Sequence, residues 1–331
     1  MPESDHPAAD NDAPAEPTAP VEQVAPALAL TPTQERNLAL LRRSDEPMVF
    51  DEGFVADLLA DAHEAVAALS ERLGGERLWV SKGFLAAVHG CEAKHLQPDE
   101  FHWTAANAAG FVAHKAIELA LNWRGEPSPL DVVDEALARL ADQADQRGAF
   151  VGGLSDGDWA ELRSRAVDRT TKFLQDFPPI PRSAQPVLEA SAKWRPPGSI
   201  EFSGKVDLVI GKPAGKESRL LIVDFKSGNR AHHHRDDLRF YALVQTLRQS
   251  VPPRKLVTYY LDYAESEAED VTEGVLQAAL ARAIGGIERH VELTVEGRPP
   301  EKRPGVSCRW CPLREDCVEG KAFLHDERDD V

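Results

Sequence analysis

The clearest strand patterning in the chain lies between Ser199 and Lys226. Ser199 to Ile210 is rich in β-branched and apolar residues, and Lys212-Pro213-Ala214-Gly215-Lys216 carries the Pro and Gly of a loop. Arg219 to Phe225 is then a short run containing Leu, Leu, Ile, Val and Phe. This pattern predicts two strands joined by a turn, the second of the length expected for burial on both faces. Alternation puts Asp224 and Lys226 on one face of the second strand, and Asp207 interrupts the first. Gln185 to Trp194 predicts the first strand of the sheet and Lys255 to Asp262 a further one. Elsewhere the period is helical: Thr33 to Leu41, Phe54 to Leu73, Ala105 to Asn122, Leu130 to Leu140, Asp156 to Phe177, Arg235 to Leu247 and Thr272 to Leu293. Ser81 is a fitting N-cap for a helix that brings Cys91 to the end of its last turn. The expected architecture is α/β: a central mixed sheet flanked by helices, with helical additions.

Outside these elements, composition marks the ends. Met1 to Thr31 is built of Pro, Ala, Asp and Glu without Lys or Arg, and is expected to stay disordered. Residues 32–76 read as a helical cover, residues 77–320 as the main domain and residues 321–331 as a second acidic tail. A chain of 331 residues can bury a full α/β core. The formal charge of −17 argues against a basic coat for nucleic acid, although six of the acids sit in the N-terminal tail. A cleft can still focus a local positive field. With no apolar run of membrane-spanning length and no basic-then-apolar leader, the expectation is a cytoplasmic protein.

Charged residues inside apolar strands carry the first chemical signal. A carboxylate among Val, Leu and Ile is costly unless a cation offsets its desolvation. Two carboxylates meeting on adjacent strands suit a hard divalent ion such as Mg²⁺, and Lys226 beside them could orient a water or stabilise a phosphate. A strand-end Asp–Lys ion pair is the plainer alternative. The four cysteines give a second signal: Cys91 stands alone, and Cys308, Cys311 and Cys317 follow as C-x2-C-x5-C. In a cytosolic chain that spacing points to a metal site, with structural Zn²⁺ and an iron–sulfur cluster both open. His114 and Glu118 share a helix face, which by itself fits a surface pair.

Gly204-x-x-Asp207, a loop, and then Val223-Asp224-Phe225-Lys226-Ser227-Gly228 resembles the active-site core of the PD-(D/E)xK nucleases. More narrowly it looks like their RecB-like branch, which includes AddB-type and CRISPR-associated RecB-like exonucleases. Gly110-x3-His114-x3-Glu118 matches that branch's G-x3-H-x3-E helix. One cysteine ahead of the core and C-x2-C-x5-C after it resembles the members that carry a [4Fe–4S] cluster. The resemblance implies a restriction-endonuclease-like core hydrolysing DNA phosphodiesters. Asp207, Asp224, His114 and the backbone carbonyl of Phe225 would hold Mg²⁺ or Mn²⁺, with Lys226 as the catalytic lysine. Glu118 and Glu189 would stand behind the ligands, a salt bridge at an edge strand being the other reading of Glu189. Cys91, Cys308, Cys311 and Cys317 would hold the cluster.

Arg230, Arg235 and Arg239 collect near the lip of this centre, and Tyr241 matches the tyrosine of the branch's Q-x3-Y motif, so these four are the expected DNA contacts. Asp237 stands where the motif has glutamine, a departure that favours the alternative of a catalytically weak DNA-binding scaffold. No G-x4-G-K-[ST] loop occurs, so a helicase motor, if used, is a separate chain.

Overall fold

The computed structural model describes residues 29–98 and 103–329; the expected disordered tail lies, up to residue 28, outside the described residues. In chain order the described elements are α1 (Pro32–Leu41), α2 (Glu52–Arg72), β1 (Leu78–Val80), α3 (Lys82–His89), α4 (Glu92–His95), α5 (Ala105–Leu121), α6 (Pro129–Ala141), α7 (Gln146–Gly152) and α8 (Asp156–Asp176). There follow β2 (Val187–Trp194), β3 (Ile200–Ile210), β4 (Leu221–Lys226), α9 (His233–Gln249), β5 (Lys255–Tyr260), β6 (Glu265–Asp270), α10 (Glu273–Thr294) and α11 (Val318–Asp329). Helix starts follow the sequence. Thr31, Ser81, Thr104 and Thr272 each cap a first turn by accepting a backbone N–H.

The sheet runs β1-β3-β4-β5-β6, with β2 on the other edge of β3. Its mixed character is explicit: β1 and β3 are parallel, as are β4 and β5, and the remaining pairs are antiparallel. Helices cover both faces. On one side α2, α3, α9 and α10 bury Leu58, Leu85, Leu243 and Ile287 against Phe202, Ile222 and Leu256. On the other, α5 and α8 bury Ala113, Ile117 and Phe173 against Leu208, Val223, Phe225 and Tyr259. A third apolar cluster joins α5, α6 and α8. This is the α/β core with a central mixed sheet that the strand and helix patterns implied, consistent with the restriction-endonuclease-like fold that the resemblance implied.

Register places an opening in the sheet. Phe202 pairs with Val80 on one edge of β3 and with Trp194 on the other. Leu208 likewise pairs with Val223 on one edge and Leu188 on the other. Strands β1 and β4 therefore share an edge of β3, one at each end. Between them that edge is free from Ser203 to Asp207, and the ends of β1 and β4 face each other across the gap.

Three expectations need correction, and one strand, β6, was not anticipated. Val187–Trp194 is not the first strand, because the three-residue β1 precedes it; so short a strand is fixed by its partner β3 and not by its own pattern. Cys91 does not close α3, which ends at His89; it is the residue before α4. Strand β6, Glu-Ser-Glu-Ala-Glu-Asp, has no apolar alternation and exists by pairing along the whole of β5. Residues 321–329, expected in an acidic tail, belong to α11, anchored by the buried Leu324. Among the described residues no helix is long and apolar enough to cross a membrane.

Candidate active site

The gap in the sheet collects side chains from six elements. Strand β4 turns Asp224 and Lys226 to the α9 side, as alternation requires, with Val223 and Phe225 on the opposite face. Asp207 reaches the same place through an irregularity in β3. Leu188 pairs with Leu208 and Ala190 with Val206, but Glu189 and Asp207 between them do not pair. Glu189 has φ +52°, in the left-handed region that costs a non-glycine residue about 1 kcal/mol or more. Val206 packs in one core cluster and Leu208 in the other, so alternation slips at Asp207.

Helix α5 supplies His114, whose Nδ1 lies 3.3 Å from Asp207 Oδ1. The other carboxylate oxygen, Oδ2, accepts the Phe225 N–H at 2.6 Å. Gly110, one turn before His114, explains the close approach of α5: a Cβ there would lie 2.6 Å from Ser227 Oγ. His114, Glu189 and Asp207 offer ligand atoms that all lie within 4.8 Å of one another. Ligands around one Mg²⁺ at about 2.1 Å stand up to about 4.2 Å apart, so this nitrogen-and-oxygen set fits a single divalent ion with small adjustment. Glu189, read from sequence as a residue behind the ligands or a salt bridge, is both within this group and ion-paired to Lys205.

Asp224 stands beside that group among lysines. Lys226 Nζ is 2.7 Å from Asp224 Oδ2 and donates to Asp237 Oδ2 at 3.0 Å. Lys82, the first residue of α3, lies 3.5 Å from Asp224 Oδ1 and 3.4 Å from Asp237 Oδ2. The Asp237 position is thus occupied by a carboxylate shared between two ammonium groups. The Asp224 side chain is 3 % exposed; burial and the charge of Asp207 push its pKa up against the pull of Lys82 and Lys226. Burial also opposes charge on His114 and Asp207, yet each holds the other ionised: His114 is shifted up and Asp207 down. Burial and Lys226 lower His234, at the start of α9, to about 4.

The expected DNA contacts divide. Arg230 pairs with Glu265 and Glu267 and lies over the rings of Tyr260 and Tyr263, and Arg239 pairs with Glu269. Both arginines line one cleft with the exposed Arg235, but β6, unseen in sequence, neutralises them. Tyr241 is 2 % exposed and packs under Gly204, so it is part of the wall and not of the DNA-facing surface. Glu118 is ion-paired to Lys115 at 2.9 Å on its own helix. A Cβ on Gly204 would lie 2.4 Å from Tyr241 Cε1. Gly204→Ala is therefore expected to destabilise the protein by about 1–3 kcal/mol, which denaturant unfolding would measure; unchanged stability would mean that the ring moves freely.

The four cysteines line a second site. Cys91, Cys308, Cys311 and Cys317 surround one cavity of about 20 Å³. Gly320 closes it: a Cβ there would lie 3.4 Å from Cys317 Sγ and 3.5 Å from Cys308 Sγ, and the Gly320 N–H donates to Cys317 Sγ at 3.3 Å. The Gly305 N–H donates to Cys308 Sγ at 3.4 Å. Beside it, the buried Glu92 accepts two hydrogen bonds from Arg298 and one from the Glu301 N–H, which hold its carboxyl down at about 2. The chain's two ends are thus tied both at the cysteines and at Glu92.

A family model described as the PD-(D/E)XK nuclease superfamily matches residues 84–318. Among solved structures, one from Eubacterium rectale, described as a "Putative exonuclease", is 12 % identical with a TM-score of 0.44, over 74 % of this chain and 90 % of that one. A second, SSO0001, is 14 % identical with a TM-score of 0.26, over 63 % and 95 %. No curated protein matches. The family match spans most of the chain and holds every residue of the site except Lys82: this chain belongs to the PD-(D/E)XK nuclease superfamily.

Proposed function

We propose that the protein is a divalent-metal-dependent DNA nuclease of the RecB-like branch, acting as an exonuclease in DNA repair, recombination or foreign-DNA processing. The observation that carries the reading is the meeting of His114, Glu189 and Asp207 within ligand distance of one another, with Asp224 and Lys226 alongside. Bound Mg²⁺ or Mn²⁺ would supply Lewis-acid activation of water and charge neutralisation at the phosphate. His114, Asp207 and Glu189 would hold the ion, with Asp224 and the Phe225 carbonyl completing the set. His114 brings a nitrogen ligand that suits Mn²⁺ better than Mg²⁺. Lys226, fixed between Asp224 and Asp237, would orient the attacking water and offset charge on the phosphoryl oxygens. The scaffold alternative drew on Asp237 standing where the motif has glutamine; its ion pairs with Lys82 and Lys226 offset the charge it would present to a phosphate.

The test is cleavage of end-labelled single- and double-stranded DNA by anaerobically purified protein, with Mg²⁺ and with Mn²⁺. Metal-dependent release of nucleotides from an end is expected; DNA left intact under every condition would refute the reading. In the same assay His114→Ala should lose about tenfold or more at low Mn²⁺ and recover part of it in excess metal. An unchanged metal dependence would show that His114 serves only its ion pair with Asp207.

A further inference from the structure

Lys82 reaches the centre from the stretch just ahead of the residues that the family model matches. It lies outside the matched residues 84–318, and β1 delivers it: Val80 pairs with Phe202, and Lys82 opens the next helix across the gap from Asp224. As the first residue of α3 it sits at the positive end of the helix dipole, an unfavourable place for an ammonium group. Three features hold it there: Asp224 at 3.5 Å, Asp237 at 3.4 Å and the Tyr241 ring at 5.3 Å from ammonium to centroid. Its side chain is 34 % exposed, against 15 % for Lys226, so Lys82 is the more accessible of the two lysines.

Charge counting shows what the pair accomplishes. Asp224 and Asp237 face Lys82 and Lys226, two charges of each sign. Were Lys82 absent, two carboxylates would share Lys226, and an entering phosphate would meet net negative charge on that side. Were both Lys82 and Asp237 neutral, the balance would be restored.

We propose that Lys82 is a second phosphate-binding cation of the active centre and that Asp237 is its exchangeable counter-ion, giving up the ammonium to the entering DNA backbone. The inference rests on the nuclease reading for its substrate and not for its test. Affinity for a labelled single-stranded oligonucleotide, measured by anisotropy in EDTA across a salt series, isolates the contact from cleavage. Lys82→Gln should weaken binding about tenfold and reduce the slope of log affinity against log salt by about 0.7, the value of one phosphate contact on a single strand. Lys82→Arg should keep the slope. Asp237→Asn should bind no more than about twofold more tightly than the parent, whereas Lys82→Gln with Asp237→Asn should bind at least about fivefold more tightly than Lys82→Gln alone, a non-additive pair.

A cation that only packs α3 would leave the slope unmoved whatever it did to the thermal midpoint, so an unchanged slope overturns the proposal. Strictly additive effects of the two substitutions overturn the counter-ion role. A parent chain that binds DNA without cutting it removes the nuclease reading and leaves this test intact. A parent chain with no measurable affinity for DNA overturns both.

Discussion

Asp224→Asn is expected to lower DNA cleavage by about a thousandfold while leaving the fold in place. The substitution is close to isosteric and removes one negative charge from a side chain that is 3 % exposed. In the parent that charge anchors Lys226 at 2.7 Å and Lys82 at 3.5 Å, and it lies close enough to Asp207 for the two carboxylates to repel. Removing it relieves that repulsion, so the thermal midpoint of metal-free protein should stay level or rise. The same change leaves Asp237 alone to balance two ammonium groups, so Lys226 loses the partner that fixes its direction. Loss of cleavage with retained stability separates a role in the chemistry from a packing role. Lys226→Ala should give a loss of the same order. Parent-like cutting by either variant, in preparations cleared of contaminating nuclease, would end the assignment.

Much of this site was legible in sequence because its local rules are strong. Asp224 and Lys226 had to share a face once Leu221 to Phe225 was read as a strand, and β4 bears that out. The α5 pattern put His114 one turn from Gly110, and the Ser227 contact now gives that spacing a steric reason. What escaped was decided by pairing between distant segments. Nothing in Leu78-Trp79-Val80 announces a strand, and without β1 there is no reason for Lys82 to meet Asp224. Strand β6 escaped for the same reason, and with it the acids that occupy Arg230 and Arg239. Glu189 was visible as an acid inside a strand, but its place beside His114 depends on the left-handed turn at its own backbone. Its position opposite Asp207, between the Leu188–Leu208 and Ala190–Val206 pairs, follows from register, which a single strand does not reveal.

Cys91→Ser is expected to release the inorganic group proposed for the four cysteines and to lower stability by about 2–4 kcal/mol, the range typical of losing a cross-link. We propose that the group is a [4Fe–4S] cluster. Among the described residues no three cysteine sulfurs stand within 4.8 Å of one another, whereas tetrahedral zinc at about 2.3 Å from each sulfur requires separations of about 3.8 Å. Zinc would need the sulfurs to close in; a cluster would need the loop to widen around a cavity of about 20 Å³. With a cluster bound, anaerobic protein should be brown and carry about four iron and four sulfide per chain. One stoichiometric zinc without iron would assign the site to zinc, and a Cys91→Ser protein with full iron content would place the fourth ligand elsewhere. The loss of stability should fall short of complete unfolding, because Glu92 still binds Arg298 and the Glu301 N–H across the same junction. Helix α3 runs from that junction to Lys82, eight residues or about 12 Å of helix. Release of the group should therefore lower DNA affinity together with stability, whereas intact affinity after complete release would show that the clip and the active centre are mechanically independent.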